Sequence, residues 1–203
     1  MNFKCNAARG AQRGIVLISS LLLLMVVTII ALSMFRSFGM QEKIAGNMRE
    51  KQRALQAAVS AQEYAENWLS NGNSSTATVT CNSLLNANLG FGQICNLPLS
   101  QMVPGNDITV VPWLNGGAPI GVSYAPTGMS VSATTSFSAA NVNNPTYWGT
   151  PTFYIADMGA SVDPTIPGEI YQIDAVGYGG GATTAAIVES TYAVYTSSSN
   201  RTL

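Results

Sequence analysis

The sequence predicts an α+β fold in which one long N-terminal helix packs on an antiparallel β-sheet. Three observations predict it. An uncharged apolar run covers Ile15–Phe35, a helix-favouring stretch without proline follows it to residue 69, and residues 70–203 change to Ser, Thr, Asn, Gly and Pro with short β-prone runs. We therefore divide the chain into a basic leader (1–14), a helix (15–69) and a β-rich head (70–203).

The apolar run, Ile15–Phe35, is 21 residues long and carries no charge. As a helix it spans roughly 30 Å, which matches the hydrocarbon core of one bilayer. Lys4, Arg9 and Arg13 precede it without any acidic residue, and such positive flanks stay in the cytoplasm. The run is therefore predicted to cross a membrane once, with the head outside the cytoplasm. An uncleaved signal anchor would have the same orientation.

The second half of the predicted helix, Gln41–Leu69, is amphipathic. Small residues and one tryptophan recur on one face at helical spacing: Ala54, Ala57, Ala58, Ala61, Ala65 and Trp68. This small-residue stripe lets another backbone come close, and we expect the sheet to pack there. A band of charged residues is expected to stay solvated: Glu42, Lys43, Arg49, Glu50, Lys51 and Arg53. Asn71-Gly72-Asn73 should end the helix.

Five segments of the head have the composition of β-strands: Asp107–Leu114, Ile120–Tyr124, Thr152–Met158, Glu169–Tyr178 and Ala182–Tyr195. The last two flank three consecutive glycines, Gly179 to Gly181, which predict a hairpin turn. Alternate residues of the final strand, from Ala186 to Val194, share one face and should lie on the helix.

The composition disfavours several functions. The sequence contains no histidine, which excludes Ser-His-Asp and Cys-His catalysis and any His-ligated metal site. We therefore predict no enzymatic activity, no catalytic or metal-binding residues and no cofactor. A membrane-anchored periplasmic enzyme is the alternative that this absence disfavours. The head is sparsely charged and mildly acidic, so a nucleic-acid partner is not expected.

Two of the three cysteines, Cys81 and Cys95, lie in the head, and Cys5 lies in the leader. An exported head meets an oxidising compartment, where two cysteines in one small domain are typical of a disulfide. We predict a Cys81–Cys95 disulfide; the alternative is two free buried thiols.

Several stretches resemble a known family. Arg13-Gly14, followed directly by the apolar run, resembles the leader junction of type IV prepilins. Gln41–Ala58, QEKIAGNMREKQRALQAA, resembles the N-terminal region of PilX-type minor pilins. Three later stretches are also similar: Tyr154–Gly159, Tyr171–Gly180 and Val188–Tyr192. The resemblance implies a type IV pilin-like fold.

The resemblance also implies how the chain is processed and what it contacts. Prepilin peptidase would cleave between Gly14 and Ile15, and the new amine of Ile15 would be N-methylated. The chain would stay in the inner membrane before assembly and reach the pilus and cell surface afterwards. Its partners would be other minor pilins and the major pilin, which it would contact through the N-terminal helix. A large pilus-tip adhesin would be a further partner, and the protein would then take part in cell adhesion.

Two positions depart from most pilins. Ile15 replaces the usual Phe at the first mature position, and Ser19 replaces the usual Glu at the fifth. PilX-type subunits and the K-type pseudopilins of type II secretion similarly lack that acid. The expected function is therefore a minor pilin in type IV pilus assembly, priming or capping the filament tip with other minor pilins. The alternative is a K-type pseudopilin, whose head usually carries a large helical insertion that residues 70–203 do not predict.

Overall fold

The computed structural model of the protein describes residues 13–81, 92–132, 146–162 and 167–195. The chain divides into two compact units, Met1–Asn47 and Met48–Leu203. Residues 1–12, which form most of the predicted leader and include Cys5, lie outside the described residues.

Helix α1 covers Arg13–Ser70, and the long helix predicted from the sequence is confirmed. The end of the helix follows the expected signal. Gly72 adopts the left-handed conformation with a φ of 91°, and the side-chain Nδ2 of Asn73 donates to the carbonyl oxygen of Trp68 at 2.7 Å. A left-handed glycine and a side-chain donor satisfy carbonyls that the last helical turn leaves without a partner.

Besides two single 3-10 turns, Asn73–Ser75 and Pro104–Asn106, the described part of the head contains seven strands and one short α-helix. In chain order they are β1 (Ile94–Cys95), helix α2 (Leu99–Met102), β2 (Leu114–Asn115), β3 (Ala118–Pro119), β4 (Val122–Ser123), β5 (Thr152–Ala160), β6 (Gly168–Tyr178) and β7 (Ala185–Tyr195). Strands β2 and β3 form a separate two-stranded hairpin.

The main sheet has the order β1-β5-β6-β7, and β4 also pairs with β5. Strands β4, β5, β6 and β7 pair antiparallel, as the sequence predicts, whereas the two-residue β1 runs parallel to β5. The predicted α+β fold, a long helix on a largely antiparallel sheet, is therefore confirmed. The parallel strand is an addition that composition did not indicate.

The predicted strand Asp107–Leu114 is wrong except at its last residue. The carboxylate of Asp107 accepts the backbone N–H of Thr109 at 3.0 Å, which is a local turn that competes with a strand. Pro112 then lacks a backbone donor for a ladder. The predicted start of the final strand is also three residues early, because Gly179 N donates to the carbonyl oxygen of Thr184 at 2.7 Å and closes the turn between β6 and β7.

The small-residue stripe is buried, as predicted: Ala54, Ala57, Ala58, Ala61 and Ala65 are at most 5% exposed. The sheet residues that face it are Tyr171, Ile173, Ala175 and Gly177 of β6, with their partners Tyr192, Ser190, Val188 and Ala186 of β7. A Cβ on Gly177 would lie 2.3 Å from Ala58 N and 2.4 Å from Ala54 O. Helix and strand therefore approach backbone to backbone at this point, which only glycine permits.

The face of the sheet turned away from α1, the far face, is covered at β5 by the loop that follows β1. The hydroxyl of Tyr154 donates to the carbonyl oxygen of Leu97 at 2.6 Å. Burial raises the pKa of this phenol well above its usual range. Buried side chains between β1 and β4 complete the core: Leu99, Met102, Val103, Trp113 and Ile120.

Candidate functional site

The predicted processing site lies at the first residues that the structure describes. Gly14 is the second residue of α1, and apart from its own helical turn no described atom lies within 4 Å of the position a Cβ would take there. Ile15 is 71% exposed. The junction is therefore uncrowded within the described residues, and a larger side chain at Gly14 would not disturb the fold.

The apolar run of α1 has no cover from the described chain. Its large apolar side chains, from Ile15 to Phe35, are each between 50% and 72% exposed. By length and composition, this helix is able to cross a membrane. Because exposing this much apolar surface to water is unfavourable, the run requires lipid or the helices of other proteins around it.

The hydroxyl groups in the apolar run are satisfied by the helix itself. Ser19 Oγ donates to the carbonyl oxygen of Val16 at 3.0 Å, and Ser20 Oγ donates to that of Leu17 at 2.9 Å. Hydroxyls bonded in this way are tolerated in an apolar environment because no donor is left without an acceptor. Ser19 therefore adds no charge and no unmet donor to the segment.

The two head cysteines form a disulfide in the structure. Cys81 and Cys95 are bonded with their Cα atoms 5.4 Å apart, and both are buried. Beside the bond, Val79 N donates to the carbonyl oxygen of Ile94 at 2.9 Å, and Asn96 N donates to that of Val79 at 3.1 Å. The disulfide thus fastens the segment after α1 to β1, and β1 in turn pairs with β5.

Sequence reasoning missed a second fastening, made by Glu50 and Arg53 of α1 (the clamp). Arg53 was predicted to be solvated, but it is only 8% exposed. Its Nη1 bonds to Glu50 at 2.8 Å, its Nη2 donates to the carbonyl oxygen of Thr146 at 3.0 Å, and its guanidinium lies 4.5 Å from the centre of the Tyr147 ring.

Glu50 completes the clamp by accepting the backbone N–H of Gly180 at 2.6 Å. Lys51 of the same helical turn donates to the carbonyl oxygen of Ala185. These side chains therefore hold the turn between β6 and β7 and the segment before β5 against α1. The position of Arg53 in the sequence could have indicated its burial, because it directly precedes Ala54 and so borders the buried stripe.

A buried carboxyl lies at the centre of the far face. Asp174 of β6 is fully buried, and its cross-strand neighbours are Tyr154 in β5 and Glu189 in β7. The amide Nε2 of Gln172 lies 3.3 Å from its carboxylate. The pKa of Asp174 is raised to about 7, mainly by burial, while the hydrogen bond from Gln172 opposes the rise and Glu189 adds to it. The carboxyl therefore exchanges its proton near neutral pH.

Asp174 should make the head less stable as pH rises. Its pKa is raised from 3.8 to about 7 on folding, so between these values the folded chain holds a proton that the unfolded chain releases. The stabilisation is complete below pH 4 and is lost by pH 7, an effect of about 4 kcal/mol at most. Asp174→Asn should remove this loss and be the more stable protein above pH 7.

Urea unfolding of the full chain in detergent, followed from pH 4 to pH 8, would measure this effect. Asp107→Asn is the matched control. Hydrogen bonds from Thr109 lower the pKa of Asp107, so its titration makes the head more stable as pH rises. Removing the Asp107 carboxyl therefore cannot abolish a loss of stability over the same pH range. Parallel pH profiles of the wild type and Asp174→Asn would contradict the prediction.

Among the described residues, no three His, Cys, Asp or Glu side chains lie close enough together to hold a metal ion. An open cleft of about 350 Å³ lies between α1 and the loop after β4, and its lining residues are uncharged: Gln56, Ala57, Ser60, Pro126, Thr127, Gly128, Met129 and Tyr147. This lining contains no carboxylate and no cation.

Residues 13–61 match the family model described as PilX N-terminal. The match contains both the Arg13-Gly14 junction and Gln41–Ala58, so the resemblance drawn from these residues is confirmed. Neither a curated protein nor a solved structure matches the chain.

Proposed function

We propose that this chain, a PilX-type pilin by its N-terminal region, is a minor pilin that acts in type IV pilus assembly and primes or caps the filament tip together with other minor pilins. One observation carries the proposal. The PilX match over 13–61 coincides with a helix whose start is apolar and uncovered, and whose later turns carry the β-sheet of the head. This combination suits assembly through the helix and not catalysis.

In this proposal the apolar run serves twice. Before assembly it anchors the chain in the inner membrane, with the leader (1–14) in the cytoplasm and the head (70–203) outside. Prepilin peptidase then cleaves between Gly14 and Ile15, and Ile15 is N-methylated. In the filament, the same run packs among the helices of other minor pilins and the major pilin, which replace lipid as its apolar surroundings.

The proposed tip position rests on Ser19. A carboxylate in a bilayer or helical bundle is unfavourable by a few kcal/mol unless it is paired. Where pilins keep an acid at the fifth mature position, it is thought to pair with the N-terminal amine of a neighbouring subunit. Ser19 has no charge and bonds within its own helix. The chain therefore gains nothing from a neighbour's amine but still offers its own Ile15 amine to a subunit added beneath it, which suits the first subunit of a filament.

Ser19→Glu should move the protein from filament ends into the shaft or lower its incorporation, because the new carboxylate would seek a neighbour's amine. Immunogold labelling of sheared filaments measures the distribution: gold at the ends is expected for the wild type. Ser20→Glu is the control, since it adds the same charge one position away from the pairing site. Uniform labelling of the wild type along the shaft would contradict the proposed location at the filament tip.

A K-type pseudopilin of type II secretion is the second candidate, because it also lacks the acid at the position of Ser19. The described part of the head argues against it, since the helix there is the four-residue α2 and no large helical insertion is present. Deleting the gene and measuring both piliation and protein secretion separates the two: loss of pili with normal secretion supports the minor pilin. In the pilus, a large tip adhesin is the further partner we propose.

A further inference from the structure

Strand β7 forms one border of the main sheet, and no described strand pairs with its outer edge. The pairing pattern shows which backbone groups point outward. Gly179 N donates to the carbonyl oxygen of Thr184, so alternate residues from Ala185 onward turn their N–H and C=O away from β6. The outward set is Ala185, Ile187, Glu189, Thr191, Ala193 and Tyr195. Lys51 donates to the carbonyl oxygen of Ala185, which agrees with this assignment.

Apart from the charge of Glu189, this edge lacks the features that usually prevent strand addition. The pairing of β6 with β7 is regular over all eleven residues, from Gly168 opposite Tyr195 to Tyr178 opposite Ala185, without a bulge. Ala185–Tyr195 contains no proline, lysine or arginine. Natural sheet edges are commonly protected by bulges, prolines and inward-pointing charges. An edge of this length without them is suited to receive another strand.

Glu189 carries the one charge on this edge. It belongs to a row of side chains that crosses the far face of the sheet from Tyr154 through Asp174. Glu189 lies directly opposite the buried Asp174, so two carboxyl groups neighbour each other on the far face. Like charges in directly opposite positions are unfavourable. Among the described residues, the ion pair present is Arg53 with Glu50, and neither Asp174 nor Glu189 has a cation. The next position along this row lies beyond β7.

We propose that the outer edge of β7 receives an extended segment of a second protein that carries a lysine or arginine directly opposite Glu189. Backbone groups of the outward residues from Ile187 onward would hydrogen-bond the segment, and the cation would pair with Glu189, which has no cation among the described residues. The site is distinct from the helix-mediated assembly proposed above.

A second copy of this chain is a poorer occupant of the same edge. If two β7 strands paired, each would bring Glu189 as its one charged residue, and two rows of carboxyl groups would meet without a cation. Such repulsion opposes self-pairing, in the way that charges on natural edges do. Charge complementarity therefore points to a different protein with a basic, extended segment.

Two nine-residue peptides of alternating Thr and Val, with Lys or Glu at the fifth position, test the proposal on the full chain in detergent micelles. Amide hydrogen exchange and titration give the readout. The Lys peptide should slow exchange of the outward amides of Ile187, Glu189 and Thr191, and it should bind about tenfold more tightly than the Glu peptide. Glu189→Lys should reverse the preference, whereas Glu189→Gln should abolish it.

A backbone variant provides an independent arm. Thr191→Pro removes an outward N–H without breaking the ladder to β6, so it should abolish binding of the Lys peptide, and Thr191→Ala should retain binding. If Thr191→Pro unfolds the head, the charge reversal at Glu189 still decides. Equal binding of the two peptides would overturn the proposal. Outward amides that already exchange as slowly as inward amides in the chain alone would overturn it as well, since the edge would then be covered by the chain itself or by a second copy.

Discussion

Gly177→Ala should destabilise the head by about 3 kcal/mol or more, a large effect for one methyl group. The new Cβ would lie 2.3 Å from Ala58 N and 2.4 Å from Ala54 O. Both are backbone atoms of α1, so no side-chain rotation can make room, and the sheet must move away from the small-residue stripe. Thermal unfolding of the full chain in detergent, followed by circular dichroism, measures the loss.

Two control variants make the Gly177 test specific. A Cβ on Gly181, in the turn after β6, would meet no atom within 4 Å, so Gly181→Ala should change stability by less than about 0.5 kcal/mol. Ala54→Gly should not rescue Gly177→Ala, because it removes a side chain and leaves the obstructing carbonyl oxygen in place. A Gly177→Ala protein as stable as the wild type would show that α1 and β6 lie farther apart than described.

Gly14→Leu should abolish processing and leave an inner-membrane precursor that does not enter filaments. If cleavage follows Gly14, removal of 14 of the 203 residues leaves a mature chain of 189 residues that begins at Ile15. Intact-mass measurement and N-terminal sequencing of protein from sheared filaments would identify this chain and the N-methyl group. A chain that still begins at Met1, in cells with active peptidase, would contradict the prediction.

Gly10→Leu is the matched control for processing, because it makes the same change elsewhere in the leader and should leave cleavage intact. The structure indicates why processing would be lost in Gly14→Leu. No described atom lies near the position of a Cβ on Gly14, so loss of processing would reflect the junction itself and not misfolding of the head. A head that unfolds at the same temperature in the uncleaved Gly14→Leu protein as in the wild type would verify that the head is correctly folded.

The parts of the fold that were predicted correctly are those fixed by local patterns. Helical spacing of alanines between Ala54 and Ala65 identified the buried face of α1, and the β-prone composition of Glu169–Tyr178, followed by three glycines, identified β6 almost to the residue. Each signal lies within its own stretch of the sequence. The stop at Gly72 was similarly local, because a left-handed glycine ends a helix whatever surrounds it.

The features that were missed depend on contacts between distant segments. β1 is only two residues long, and it becomes a strand because β5 lies beside it, sixty-one positions farther along at Ile155. Arg53 is buried because its partners include Thr146 and Tyr147, which no helical pattern could reveal. The burial of Asp174 could not be predicted either, because the sequence of Tyr171–Tyr178 is compatible with a far face that is exposed to solvent and with one that is covered.

The burial of the small-residue stripe has a consequence for how this protein diversifies. The core residues that the structure describes, from Ala54 onward, belong to the unit Met48–Leu203, which thus contains the helical turns that its own sheet requires. Recombination between related genes would therefore be able to exchange this unit without separating the sheet from the helical turns on which it packs. Surface residues of this unit would then change while the residues of the apolar run, which lie in the other unit, stay the same.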